Sequence, residues 1–169
     1  MSLSKQARHD DIQKALELML ARLGEQAIDR VLFNRDEPPF DQIYPTTWKE
    51  LAEKYLIKPL DGAGPQLFWL TGYGWYAALE QANRFSDPTL IEKMSALSAA
   101  LKDSVKGRDT EALLYVGNLA TQTGLSEDWI YNAIESNLVG RQFGRRGAKW
   151  AAGIKNTIIV PIDFGLEPL

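Results

Sequence analysis

Apolar residues recur along the chain at helical spacing in four places. From 10 to 33, Ile12, Leu16, Met19, Leu20, Leu23, Ile28 and Val31 fall largely on one stripe, with Lys14, Glu17, Arg22, Glu25 and Arg30 mostly elsewhere. This pattern predicts one long helix, followed by a proline-rich loop from Asp36 to Pro45. A second helix is expected from Thr47, where Thr47-Trp48-Lys49-Glu50 reads as a capping box. A turn at 61–65 and a short strand at 66–70 follow, then a helix over 71–85. Asp87-Pro88 opens another helix, with Leu90, Ile91, Met94, Leu97 and Leu101 inward to about residue 105. Helix is also expected to begin at Glu111–Tyr115. Thr157 to Ile162 is the clearest strand, β-branched and ended by proline. Residues 47–85 and 110–162 form a loose repeat, each running from helix through a turn towards a short strand.

The segment Val116 to Leu138 has more content than periodicity alone. Ala120, Gly124 and Ile130 are spaced as a helix-turn-helix requires: a small residue at the crossing, a turn residue that accepts positive φ, and an aliphatic residue facing back. Leu119, Leu125, Ala133 and Ile134 add core positions, and Ser126 is placed to cap the second helix. With the glycine-rich stretch and strand that follow, residues 110–163 resemble the winged helix-turn-helix family. An ordinary helical hairpin with a glycine turn is the other reading. Phe68 to Leu79, with Leu70-Thr71 followed by Gly74-Trp75, is similar to the segment that leaves the wing in many bacterial winged helices. Residues 11–85 would then be a second, degenerate copy. The expected fold is mainly α with short β-hairpins: a helical part at 1–105 and a winged helix at 106–169.

The resemblance implies DNA as ligand, with the second helix against the major groove. Ser126, Tyr131 and Asn132 would face bases, and Arg141, Arg145, Arg146 and Lys149 would hold phosphates. Between Val139 and Lys155 there are five cations and no carboxylate. Glycines at 140, 144, 147 and 153 would let this wing approach a phosphate backbone. Against this, Glu127, Asp128 and Glu135 are expected on the exposed side of the second helix with Asn132 and Ser136. Residues 106–169 hold 7 basic and 7 acidic residues, a net charge of zero. A winged helix used for protein interaction or dimerisation is therefore the alternative. Trp129 and Trp150 are read as packing residues before stacking ones.

The remaining composition narrows the classes. The 169 residues carry a net charge of −3 and no cysteine, which excludes disulfides and thiolate metal sites. One histidine, His9, leaves no common nucleophile–base triad and no metal set. Gly62-Ala63-Gly64 and Gly72-Tyr73-Gly74 lack the context of a dinucleotide motif. Asp163-Phe164-Gly165 stands without the other kinase motifs. No cofactor is expected. No apolar run reaches the length of a membrane span, and the N-terminus does not read as a signal peptide. A cytoplasmic binding protein, homodimeric and regulatory rather than enzymatic, is the expectation.

Overall fold

Gly24 decides where the first helix stops. In the computed structural model, which describes residues 3–60, 62, 66–143 and 147–164, α1 runs Lys5–Leu23 and Gly24 follows at φ +57. That conformation belongs to the left-handed region and cannot continue a right-handed helix. The single helix expected over 10–33 is thus three elements: α1, a short 3₁₀ turn at Ile28–Arg30, and strand β1 at Leu32–Asn34. The apolar spacing runs on past Gly24 because Ile28 and Val31 are buried from the turn and the strand entry instead.

The next helix, α2 (Pro45–Glu53), starts two residues before Thr47. The predicted capping box is not formed. Thr47 is fully buried and its hydroxyl donates to Asp11 Oδ2, which also accepts the Tyr44 N–H at 3.1 Å. A carboxylate on α1 therefore serves the start of α2 in place of a local side chain. Strands β2 (Ile57–Pro59) and β3 (Leu67–Leu70) complete an antiparallel sheet of order β1-β3-β2. Helix α3 (Gly72–Gln81) follows at once, with Thr71 Oγ accepting the Gly74 N–H at 3.0 Å. Gly74 presses so closely on the preceding chain that a Cβ there would lie 1.9 Å from the Leu56 carbonyl oxygen. Phe33, Phe68 and Trp48 fill the space between sheet and helices, with ring centroids 5.6 Å (Phe33–Phe68) and 4.9 Å (Trp48–Phe68) apart.

The chain divides into two compact units, Met1–Arg84 and Phe85–Leu169. This division lies one helix before the 105/106 boundary read from the sequence. Helix α4 (Pro88–Ser104) goes with the second unit because Leu90, Met94, Leu97 and Leu101 pack within it. Its start is as expected, Asp87 Oδ1 accepting the Thr89 N–H at 3.0 Å.

After α4 comes a correction. The helix expected at Glu111–Tyr115 is strand β4, Ala112–Tyr115. A run of Ala and Leu favours helix locally, but pairing with β6 (Thr157–Val160) overrides that preference. Helix α5 (Val116–Thr123), Gly124 at φ +74 and α6 (Glu127–Glu135) then form the helix pair read from Ala120, Gly124 and Ile130. Ser126 Oγ accepts the Trp129 N–H at 3.1 Å. A further helix, α7 (Leu138–Phe143), occupies the start of the stretch expected to be wing. The hairpin itself is β5 (Lys149–Trp150) and β6, in a sheet of order β4-β6-β5.

The two units share one plan. Each has a long helix, an edge strand, helical structure, then a hairpin whose second strand inserts beside the first. The register agrees residue for residue. Leu32 pairs with Trp69 and Trp69 with Lys58, while Leu113 pairs with Ile159 and Ile159 with Lys149. The repeat therefore starts at the long helices, earlier than the loose sequence repeat. Among the described residues, no helix is long and apolar enough to cross a membrane.

Candidate nucleic-acid interface

Helix α6 has to bury one side and present the other. Its buried stripe is wide, taking in Trp129, Ile130, Asn132, Ala133 and Ile134, with Ser136 just beyond. Asn132 is 2% exposed and Ser136 1%, which corrects the expectation that both face outward. Asn132 is buried within the unit and cannot reach a base edge while α6 stays packed. What α6 does present is Glu127, Asp128, Tyr131 and Glu135, so its accessible side is predominantly acidic.

Of the other two residues assigned to bases, Ser126 is exposed at the start of α6 with its oxygen committed to the Trp129 N–H. Tyr131 is half-buried. Its ring lies 5.2 Å from that of Trp150 at 32°. This tilted ring contact joins α6 to the first strand of the hairpin. Trp150 Nε1 is buried with no hydrogen-bond partner among the described residues. Trp129 is 7% exposed, in agreement with a packing role, and Lys93 Nζ sits 5.8 Å from its ring centroid.

The basic residues divide differently. Arg141 is exposed on α7, not in the hairpin. Lys149 is exposed on β5, and Lys155 is exposed in the loop between β5 and β6. Arg145, Arg146 and Gly144 lie outside the described residues. No Asp or Glu occurs from Ser136 to Ile162, so the exposed charge of α7 and the hairpin is all of one sign.

The glycines of this stretch have internal work. Asn137 adopts φ +51 between α6 and α7, and its side chain lies against Gly140 and Gly147. A Cβ on Gly140 would come within 2.3 Å of Asn137 Oδ1, and one on Gly147 within 2.0 Å. A side chain at either glycine would therefore displace that of Asn137 from its present seat. Gly153, at φ +76, makes the hairpin turn.

Of the residues assigned to DNA from the sequence, Ser126, Arg141 and Lys149 are exposed and Tyr131 is half-buried, and the sequence did not point to the Tyr131–Trp150 contact. Only the pairing of β5 with α6 and β6 reveals it, because the two residues are far apart in the chain. No protein-family model matches the chain, and no curated protein or solved structure is detectably similar to it.

Proposed function

We propose that the chain is a tandem winged-helix protein of regulatory type, acting in the cytoplasm, whose second unit grips the phosphate backbone of duplex DNA with α7 and the β5–β6 hairpin. The observation that carries this reading is the exposure of Arg141, Lys149 and Lys155 along a segment without a carboxylate. The element order, from long helix to edge strand to helix pair to hairpin, and the β4-β6-β5 sheet order support the winged-helix assignment. The acidic side of α6 and the burial of Asn132 shift the emphasis from base reading to phosphate contact, leaving Ser126 and Tyr131 as the residues able to touch bases. Phosphate contacts position a protein on DNA without carrying sequence information.

Three phosphate contacts give a log–log salt slope of about −2.7, so affinity falls roughly 40-fold between about 50 and 200 mM salt. Fluorescence anisotropy of a labelled random duplex tests this. Arg141→Ala/Lys149→Ala/Lys155→Ala is expected to make the slope shallower by about 2.7. No binding at the lowest salt, or an unchanged slope in the triple variant, overturns the reading.

A second reading, protein interaction or homodimerisation, has its own observation. Leu113 and Tyr115 on the edge strand β4 are 56% and 52% exposed. Sedimentation of the wild type and of Leu113→Ser across a concentration series tests it. A dimer that dissociates in the variant favours this reading, and a monomer throughout removes homodimerisation.

A further inference from the structure

Charge in the second unit is segregated along the chain. Helix α6 carries Glu127, Asp128 and Glu135 and no Lys or Arg, whereas residues 136–162 carry five cations and no carboxylate. Neither segment holds a counter-charge of its own. The first unit is built differently, since Glu50 and Glu53 each meet a lysine four residues away. Glu127 and Glu135 are exposed and make no ion pair among the described residues. Lys149 and Lys155 are likewise exposed and without an ion pair among the described residues.

The two signs come close at one ring contact. Glu127, Tyr131 and Glu135 follow at intervals of four residues, which sets them in a line along the accessible side of α6. Tyr131, in the middle of that line, touches Trp150, the residue after Lys149 on β5. Ile154, 53% exposed, and Lys155 follow in the loop between β5 and β6. Carboxylates, a half-buried tyrosine, an exposed aliphatic side chain and cations thus lie together, and such a set is its own complement. We infer that two copies of the chain associate about a two-fold axis beside Tyr131, with Glu127 and Glu135 of each copy facing Lys149 and Lys155 of the other. A two-fold axis makes each contact twice, acid to base and base to acid, and closes the assembly at a dimer. Charge selects a second copy as the occupant. Residues 106–169 hold 7 basic and 7 acidic residues, so two such segments meet without net repulsion while their opposite signs pair. Tyr131 and Ile154 supply apolar area, and the charges form a rim that fixes register more than it adds affinity. The dimer is accordingly weak and salt-sensitive.

This inference does not depend on the duplex reading and is tested without DNA. In sedimentation equilibrium of the full chain at about 50 mM salt, the mass should rise with concentration to that of a dimer and no further. At about 300 mM salt the Kd should be at least about tenfold higher. Glu127→Lys/Glu135→Lys and Lys149→Glu/Lys155→Glu should each weaken the dimer at least about tenfold when alone. Mixed in equal amounts, the two variants should re-form a dimer close to wild-type strength, because each reversed charge then meets a reversed partner. That recovery also shows both variants to be folded. Leu113→Ser, on the β4 edge, should leave the association unchanged. A wild type that stays monomeric at low salt, a mass that climbs past a dimer, or reversed variants that still dimerise alone overturns the inference. So does a mixture that fails to recover, or a dimer lost in Leu113→Ser.

Discussion

The two units build the same sheet, with the same register, around helices that are secured by different means. In the second unit, α6 is held by its own sequence. Ser126 caps it locally, and Gly124 makes the turn before it in open space, with nothing within 4 Å of a hypothetical Cβ. In the first unit, α2 has no side-chain cap of its own and takes Asp11 from α1. Its carboxylates are also treated differently. Glu50 and Glu53 each meet a lysine four residues away, at 2.8 Å from Lys54 and 3.8 Å from Lys49, whereas Glu127 and Glu135 of α6 make no ion pair among the described residues. One scaffold thus tolerates a helix defined by neighbours in sequence and a helix defined by neighbours in space. The second kind is the more fragile, since its support is lost when either of two elements shifts.

That contrast can be broken at particular residues. The largest effect is expected at Gly74, where an alanine Cβ meets backbone, not a side chain that could turn away. Gly74→Ala should cost about 3 kcal/mol or more in urea unfolding, as overpacking against a rigid neighbour does. Next comes Asp11→Ala, which leaves the buried Thr47 hydroxyl and the Tyr44 N–H without their acceptor. About 2–3 kcal/mol is expected, the range for buried hydrogen bonds to a charged group. Gly124→Ala meets no atoms and pays only for the left-handed backbone, about 1–2 kcal/mol. Ser126→Ala removes one local cap and should cost about 1 kcal/mol. If Asp11→Ala proves no more costly than Ser126→Ala, the distinction between spatial and local support is wrong.

What could be read from the sequence follows the same line. The Ala120–Gly124–Ile130 spacing, the Ser126 cap and the Asp87-Pro88 start each depend on chemistry within a few residues, and each appears in the structure. The strand at 157–160 was legible because β-branched residues leave few alternatives. Ala112–Tyr115 was not legible as a strand, because only β6, more than forty residues on, pulls it from helix. The end of α1 was hidden by apolar residues that keep helical spacing while leaving the helix. The capping box at Thr47 failed because a hydroxyl that could cap locally found a buried carboxylate instead. At the candidate interface, the number of basic residues was visible but their placement was not: α7 carries Arg141, and the hairpin begins only at Lys149. Asn132 was misplaced because a helix of nine residues buries a wider stripe than a single line of aliphatic positions suggests.

The seat that Gly140 and Gly147 make for Asn137 has a consequence for how this protein can diverge. The three positions form an epistatic set. With Asn137 present, a side chain at either glycine collides with it. With Asn137→Gly, the left-handed backbone is still satisfied and the collision disappears. In a pairwise mutational scan, alanine at 140 or 147 should cost less than Gly74→Ala, because the Asn137 side chain can turn away, and less still when combined with Asn137→Gly. A lineage that loses the asparagine first is then free to change the glycines, while one that changes a glycine first must move the asparagine side chain out of its seat.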